Sequence, residues 1–148
     1  MTDPTSSPTT PDPTAPATAP APTVWPTFQA TDAQALINFL VGSFGFIATA
    51  VYRDGDRIAH AQLDWPEGGG VMLGSFRSDA QWSRPPGTAG MYVVATDVEA
   101  VHRRAAAAGA EIVRPLSDTD YGGLEFVASD PEGNLWSFGS YRGEAPVH

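Results

Sequence analysis

Apolar and polar positions along this chain follow two rhythms, and the same succession of rhythms occurs twice. Residues 23–30 are rich in β-branched and aromatic side chains and predict a strand. Leu36, Ile37, Leu40 and Val41 then recur at helical spacing, with Thr31 or Asp32 placed to N-cap the helix and Gly42 or Gly45 to end it. Three further strands are predicted at 46–52, 57–65 and 70–76. Asp54-Gly55-Asp56 marks a hairpin turn between the first two, and Pro66-Glu67-Gly68-Gly69 a longer loop before the third. The second half repeats this order: a strand at 90–96, a helix capped by Asp97 and running to about 108, then strands at 111–116, 124–129 and 135–141. Gly109 ends the second helix, whose alanine run has high helix propensity. The final turn is Asp130-Pro131-Glu132-Gly133-Asn134, where proline and glycine suit the turn dihedrals.

The two halves also share residues at a nearly constant offset of 65. Ala30-Thr31-Asp32 returns as Ala95-Thr96-Asp97, and Leu73-Gly74-Ser75-Phe76 returns, conservatively, as Phe138-Gly139-Ser140-Tyr141. The chain therefore reads as two βαβββ modules, 23–77 and 89–142, joined by a proline-containing linker at 78–88, with a short disordered C-terminus at 143–148.

Composition changes the picture mainly at the start. Residues 1–22 hold seven of the 14 prolines and six threonines, so they predict a disordered or polyproline-like tail with too little apolar surface to pack. The tail lacks the basic and apolar regions of a secretion signal, no apolar run approaches a membrane span, and the expected location is cytoplasmic. There are no cysteines, which removes thiol and disulfide chemistry. A net charge of −9, with eight basic residues that are all arginine, argues against nucleic-acid or anionic-membrane partners.

Two βαβββ units at this spacing resemble the vicinal-oxygen-chelate superfamily, which includes the glyoxalases, bleomycin-resistance proteins and extradiol dioxygenases. The resemblance spans about residues 25–141. Its most specific part is the closing Asp-Pro-Glu-Gly-Asn-Leu-Trp-Ser-Phe of residues 130–138, supported by His60-Ala61-Gln62-Leu63 and Val71-Met72-Leu73-Gly74. It implies an α+β fold in which two βαβββ modules form a curled mixed sheet around one cleft. It also implies a homodimer, which in this family completes or buries the cleft.

Family enzymes bind a divalent metal through two side chains from each half, usually His and Glu. The matching positions here are Trp25 and Met72 in the first half and Met91 and Ser137 in the second. None is a plausible ligand, so no metal and no other cofactor is expected. Strand alternation places Trp25 with Thr27 and Gln29, Met72 with Gly70 and Gly74, Met91 with Val93 and Ala95, and Ser137 with Leu135 and Gly139 on the concave faces. Such a surface suits an aromatic or apolar small molecule, although methionines also fill closed cores.

On the strand at 57–65, Ala59, Ala61, Leu63 and Trp65 form an apolar face, and His60, Gln62 and Asp64 a polar one. At the offset of 65, His60 matches Glu125, so the two are candidates to face each other across the pseudo-two-fold. They could hydrogen-bond a ligand, act as an acid–base pair, or simply lie solvated on an outer face. Trp82 and Tyr121 are candidate rim residues, whereas His102, beside Arg103 and Arg104, reads as a solvated helix face. The expected function is binding of an apolar or aromatic small molecule in the manner of a bleomycin-resistance protein. The alternative is a glyoxalase-related lyase or isomerase using His60 and Glu125 or a non-standard metal site.

Overall fold

A computed structural model describes residues 21–147; most of the expected tail, residues 1–20, and the terminal His148 lie outside the described residues. The first module comprises β1 (Thr27–Ala30), α1 (Ala33–Phe39), β2 (Ile47–Asp54), β3 (Arg57–Asp64) and β4 (Gly70–Ser75). The second comprises β5 (Gly90–Val94), α2 (Val98–Ala107), β6 (Glu111–Asp118), β7 (Leu124–Ser129) and β8 (Leu135–Gly139). Each predicted strand and helix is present, with ends shifted by a few residues. The strand predicted at 23–30 begins only at Thr27, because Pro26 has no N–H to give a ladder.

Each module forms its own four-stranded mixed sheet, in the orders β1-β4-β3-β2 and β5-β8-β7-β6. The first and last strands of a module pair in parallel, Thr27 opposite Met72 and Tyr92 opposite Ser137, and the remaining pairs are antiparallel. The helices start where the sequence places them. Asp32 accepts from the Ala35 N–H at 3.1 Å and Asp97 from the Ala100 N–H at 3.0 Å. Helix α1 runs on into a π-helical stretch, Leu40–Phe44, which Gly45 closes with a φ of 92°.

The buried faces of the two sheets turn toward each other and share one core. Phe44, at the end of the π-helical stretch, meets Trp136 and Phe138 of β8 with ring centroids 5.7 and 4.7 Å apart. Phe46 and Trp65 close the same cluster from the first module. Polar contacts across the boundary repeat with the sequence. Glu132, in the β7–β8 turn, accepts from the Thr31 and Asp32 N–H groups, while Glu67, in the β3–β4 turn, accepts from the N–H and hydroxyl of Thr96. Both members of each pair stand 65 positions apart, so each module's turn carboxylate caps the strand-to-helix junction of the other.

Two helix positions differ from the solvated face expected of them. His102 is half-buried, its ring edge-on to Phe126 at 5.1 Å. Arg104 donates to the carbonyls of Val41 and Gly42, satisfying the end of the first module's helix.

Candidate ligand site

Because the buried faces point inward, the other face of each sheet is open, and the two sheets do not close on each other within the chain. The first module's open face carries a cavity of about 490 Å³, a size typical of small-molecule sites. Its floor is made by Thr27 and Gln29 of β1, Ala59 and His60 of β3, and Gly74 and Ser75 of β4. Gly74 is needed there, since a Cβ would sit 3.0 Å from the Ala59 carbonyl oxygen. Strand β3 loses strict alternation between Tyr52 and Arg53 of its neighbour, where the ladder shifts register. As a result Ile58 is buried and Ala59 is exposed beside His60, contrary to the apolar face expected for Ala59.

The cavity roof comes from the linker. Gln29 accepts from the Ser83 hydroxyl at 2.9 Å and from the Arg84 N–H at 3.3 Å, tying the linker to β1. This tether holds Trp82, 76% exposed, and the Arg84 side chain at the mouth of the cavity. Arg57 and Arg77 complete the rim, and Asp54 is its one acidic residue among the described residues. His60 lies stacked on Tyr52, with ring centroids 6.1 Å apart.

The expected site residues are distributed unevenly about this cavity. Gln29 and His60 line it. Gln62 and Met72 are half-buried neighbours on the same face, paired across β3 and β4, with the Gln62 amide turned to the Asp64 carboxylate. Trp25 sits over Gly70 at the edge of the sheet, beyond the cavity, where the Leu63 carbonyl oxygen and the Trp25 ring together leave no room for a Cβ on that glycine. Met91 and Val93 are on the opposite face from the one expected. Both pack against the shared core and line a smaller cleft of about 270 Å³ with Trp65 and Trp136. The parallel pairing of Tyr92 with Ser137 makes Tyr92, one residue along, the open-face residue of β5.

Glu125 and Ser137 occupy the second module's open face. The Glu125 carboxylate is buried and accepts hydrogen bonds from the Ser137 hydroxyl at 2.9 Å and from the Tyr121 hydroxyl, with Arg114 3.7 Å away. The hydrogen bond to Glu125 raises the Tyr121 phenol above its usual value of 10.0, because ionising it would place two anions together. Tyr92 is raised first by desolvation and then by the Glu125 charge, against the bond its hydroxyl donates to the Tyr141 carbonyl. Among the described residues, every side-chain partner of Glu125 thus belongs to its own module. His60 and Glu125 lie on separate open faces, and a single chain does not bring them together.

Of the four positions that the resemblance implies for metal ligands, Met91 faces the core, and the other three offer an indole, a thioether and a hydroxyl, a donor set that does not fit a divalent metal. Among the described residues no three His, Cys, Asp or Glu side chains converge as a cation site requires. No helix among them is long and apolar enough to cross a membrane.

The three rim arginines were not singled out in the sequence. The signal available was their sparseness in an acidic chain. Only the fold brings Arg57 of the β2–β3 hairpin together with Arg77 and Arg84, which follow β4.

This architecture defines a class: the chain belongs to the Glyoxalase/Bleomycin resistance protein/Dioxygenase superfamily, whose model matches residues 23–138. Among solved structures it is similar to TioX from Micromonospora sp. ML1, with 32% identity over 76% of this chain and 93% of that one, at a TM-score of 0.65. TnmS3, an antibiotic binding protein from Streptomyces sp. CB03234, shares 19% identity over 83% of this chain and 98% of its own, at a TM-score of 0.66. A glyoxalase/bleomycin resistance protein from the same Streptomyces strain shares 20% identity over 76% and 95%, at 0.64. No curated protein sequence matches.

Proposed function

We propose that this protein binds an aromatic or largely apolar small molecule in the first-module cavity, without a metal, and sequesters it rather than transforming it. The observation that carries this reading is the cavity itself. Its floor is laid by β1, β3 and β4, and an exposed indole is held at its mouth by the Gln29 tether. An exposed tryptophan beside a cavity is a preformed stacking surface, and stacking adds about 0.5–1.5 kcal/mol beyond area burial. The donor set speaks for a metal-free site, and the antibiotic-binding relative speaks for a natural-product ligand and a role in antibiotic resistance.

Tryptophan fluorescence titration against a panel of aromatic natural products tests this. At least one compound is expected to quench with a micromolar dissociation constant, and Trp82→Ala to weaken it about tenfold. Absence of quenching by any compound of the panel would refute the reading.

A homodimer fits the same picture. Strand β2 is exposed along nearly its whole length, with Ile47 55% and Tyr52 62% accessible, and Tyr92 and Leu135 are exposed on the second module. A second copy can cover the exposed β2 of one module with the exposed Tyr92 and Leu135 of the other and bury these apolar side chains. Sedimentation equilibrium is expected to give twice the chain mass at micromolar concentration, and Tyr52→Glu to shift it toward the monomer. A monomer across that range would remove the dimer from the account.

A further inference from the structure

We propose that the ligand of the first-module cavity is an aromatic acid, a planar ring carrying a carboxylate or comparable oxyanion. This rests on the reading of that cavity as the binding site and adds the charge class of its occupant.

The chain as a whole repels anions: it has 17 acidic against eight basic residues. Yet three of those eight, Arg57, Arg77 and Arg84, converge on one cavity rim whose single acid among the described residues is Asp54. A local reversal of charge at a concave surface focuses potential on what enters it. The arginines are also underused by the protein. Arg84 spends one donor on the Ser83 carbonyl at 2.8 Å, and Arg57 donates to the Phe76 carbonyl. Arg77 faces Asp79 at 3.6 Å, with both side chains mostly exposed, a pairing worth little in water. A guanidinium has five donors in a planar fork that matches an oxyanion bidentately.

The backbone tether of Arg84 to Gln29 fixes where its side chain starts, and Trp82 lies two residues earlier on the same tethered stretch. An inorganic anion would satisfy the arginines but leave the indole, Ala59 and the Gly74 floor without a partner. A neutral ring would do the reverse. A ring against Trp82 with its acid group among the arginines uses both sets.

The test is fluorescence titration of the full chain with three compounds of one shape: 2-naphthoate, 2-naphthamide and 2-naphthylmethylammonium. The acid is expected to bind tightest and the ammonium weakest, about tenfold or more apart, as charge-assisted hydrogen bonds require. The double substitution Arg57→Gln with Arg84→Gln is expected to erase the acid's advantage, so that acid and amide bind within about twofold of each other. In the unaltered protein, added salt should weaken the acid and spare the amide, which keeps the test independent of how the variant folds.

An amide that binds as well as the acid, or an ammonium that binds best, overturns the charge class while small-molecule binding stands. Insensitivity of acid binding to both salt and the double substitution overturns it as well. If none of the three binds while a compound of the natural-product panel does, the charge class falls and the cavity reading stands; if no compound of either set binds, both fall.

Discussion

Replacing Phe44 with alanine is expected to lower the stability of the fold by about 3–5 kcal/mol, the range for deleting a buried aromatic ring. Phe44 is 2% exposed and stands where the modules meet, touching Phe39 on its own helix and Trp136 and Phe138 on β8. Its environment cannot collapse easily, because two of its ring neighbours are fixed in β8 and the third is on α1. The cavity left behind would therefore persist and add to the lost transfer energy. Since domains of this size are stable by only about 5–15 kcal/mol, one such change removes a large fraction. In urea, with a slope of about 2 kcal/mol per molar, the midpoint should fall by about 1.5–2.5 M. A fall below about 0.5 M would mean that the modules do not depend on this contact.

Asp130→Ala is expected to cost about 3–4 kcal/mol, for a different reason. The Asp130 carboxylate is buried in the β7–β8 turn and accepts five hydrogen bonds. Three come from the N–H groups of Glu132, Gly133 and Asn134, one from the Asn134 amide and one from the Trp136 indole, all at 2.9–3.0 Å. Alanine would strand the Asn134 amide and the Trp136 N–H, both in residues at most 1% exposed, and each orphaned donor costs about 1–3 kcal/mol. It would also loosen the chain just after the linker, because the Asn134 side-chain Oδ1 accepts from the Ala89 N–H at 3.0 Å. Asp130→Asn retains one oxygen for the three backbone donors and turns an amide against the other two. About half the loss should remain, and urea denaturation of the two variants side by side checks that order. Equal stability of Asp130→Ala and the parent chain would contradict this role.

Much of the fold was legible because local signals agreed with the repeat. Aspartate caps, closing glycines and turn residues recur at one offset, so each half corroborates the other. What the repeat did not reveal was which turn residues serve the partner module. Glu67 and Glu132 look like loop carboxylates in sequence, and their capping of Thr96 and Thr31 follows only from packing the modules back to back.

Of the candidate site, the open-face placement of Gln29, His60 and Ser137 was legible from alternation on β1, β3 and β8. It failed on β5, since a one-residue change of phase moves every side chain of a strand to the other face. Tyr92 then replaced Met91 and Val93. On β3, a ladder irregularity moved Ala59 to the open side, and residue types alone do not report that. The pairing of His60 with Glu125 assumed that equal positions in a repeat face one another. Here the pseudo-symmetric faces point apart within a chain, so equal positions lie on different surfaces.

The most direct test of the central claim is an amide chemical-shift map of the isotopically labelled full chain, with the tightest-binding aromatic compound of the panel added to saturation. The account predicts that the largest shifts fall on residues 27–29, 57–60, 73–75 and 81–84, with the Trp82 indole N–H among them. Shifts concentrated instead at the smaller cleft around Trp65 and Glu67, or scattered without a focus, would contradict it.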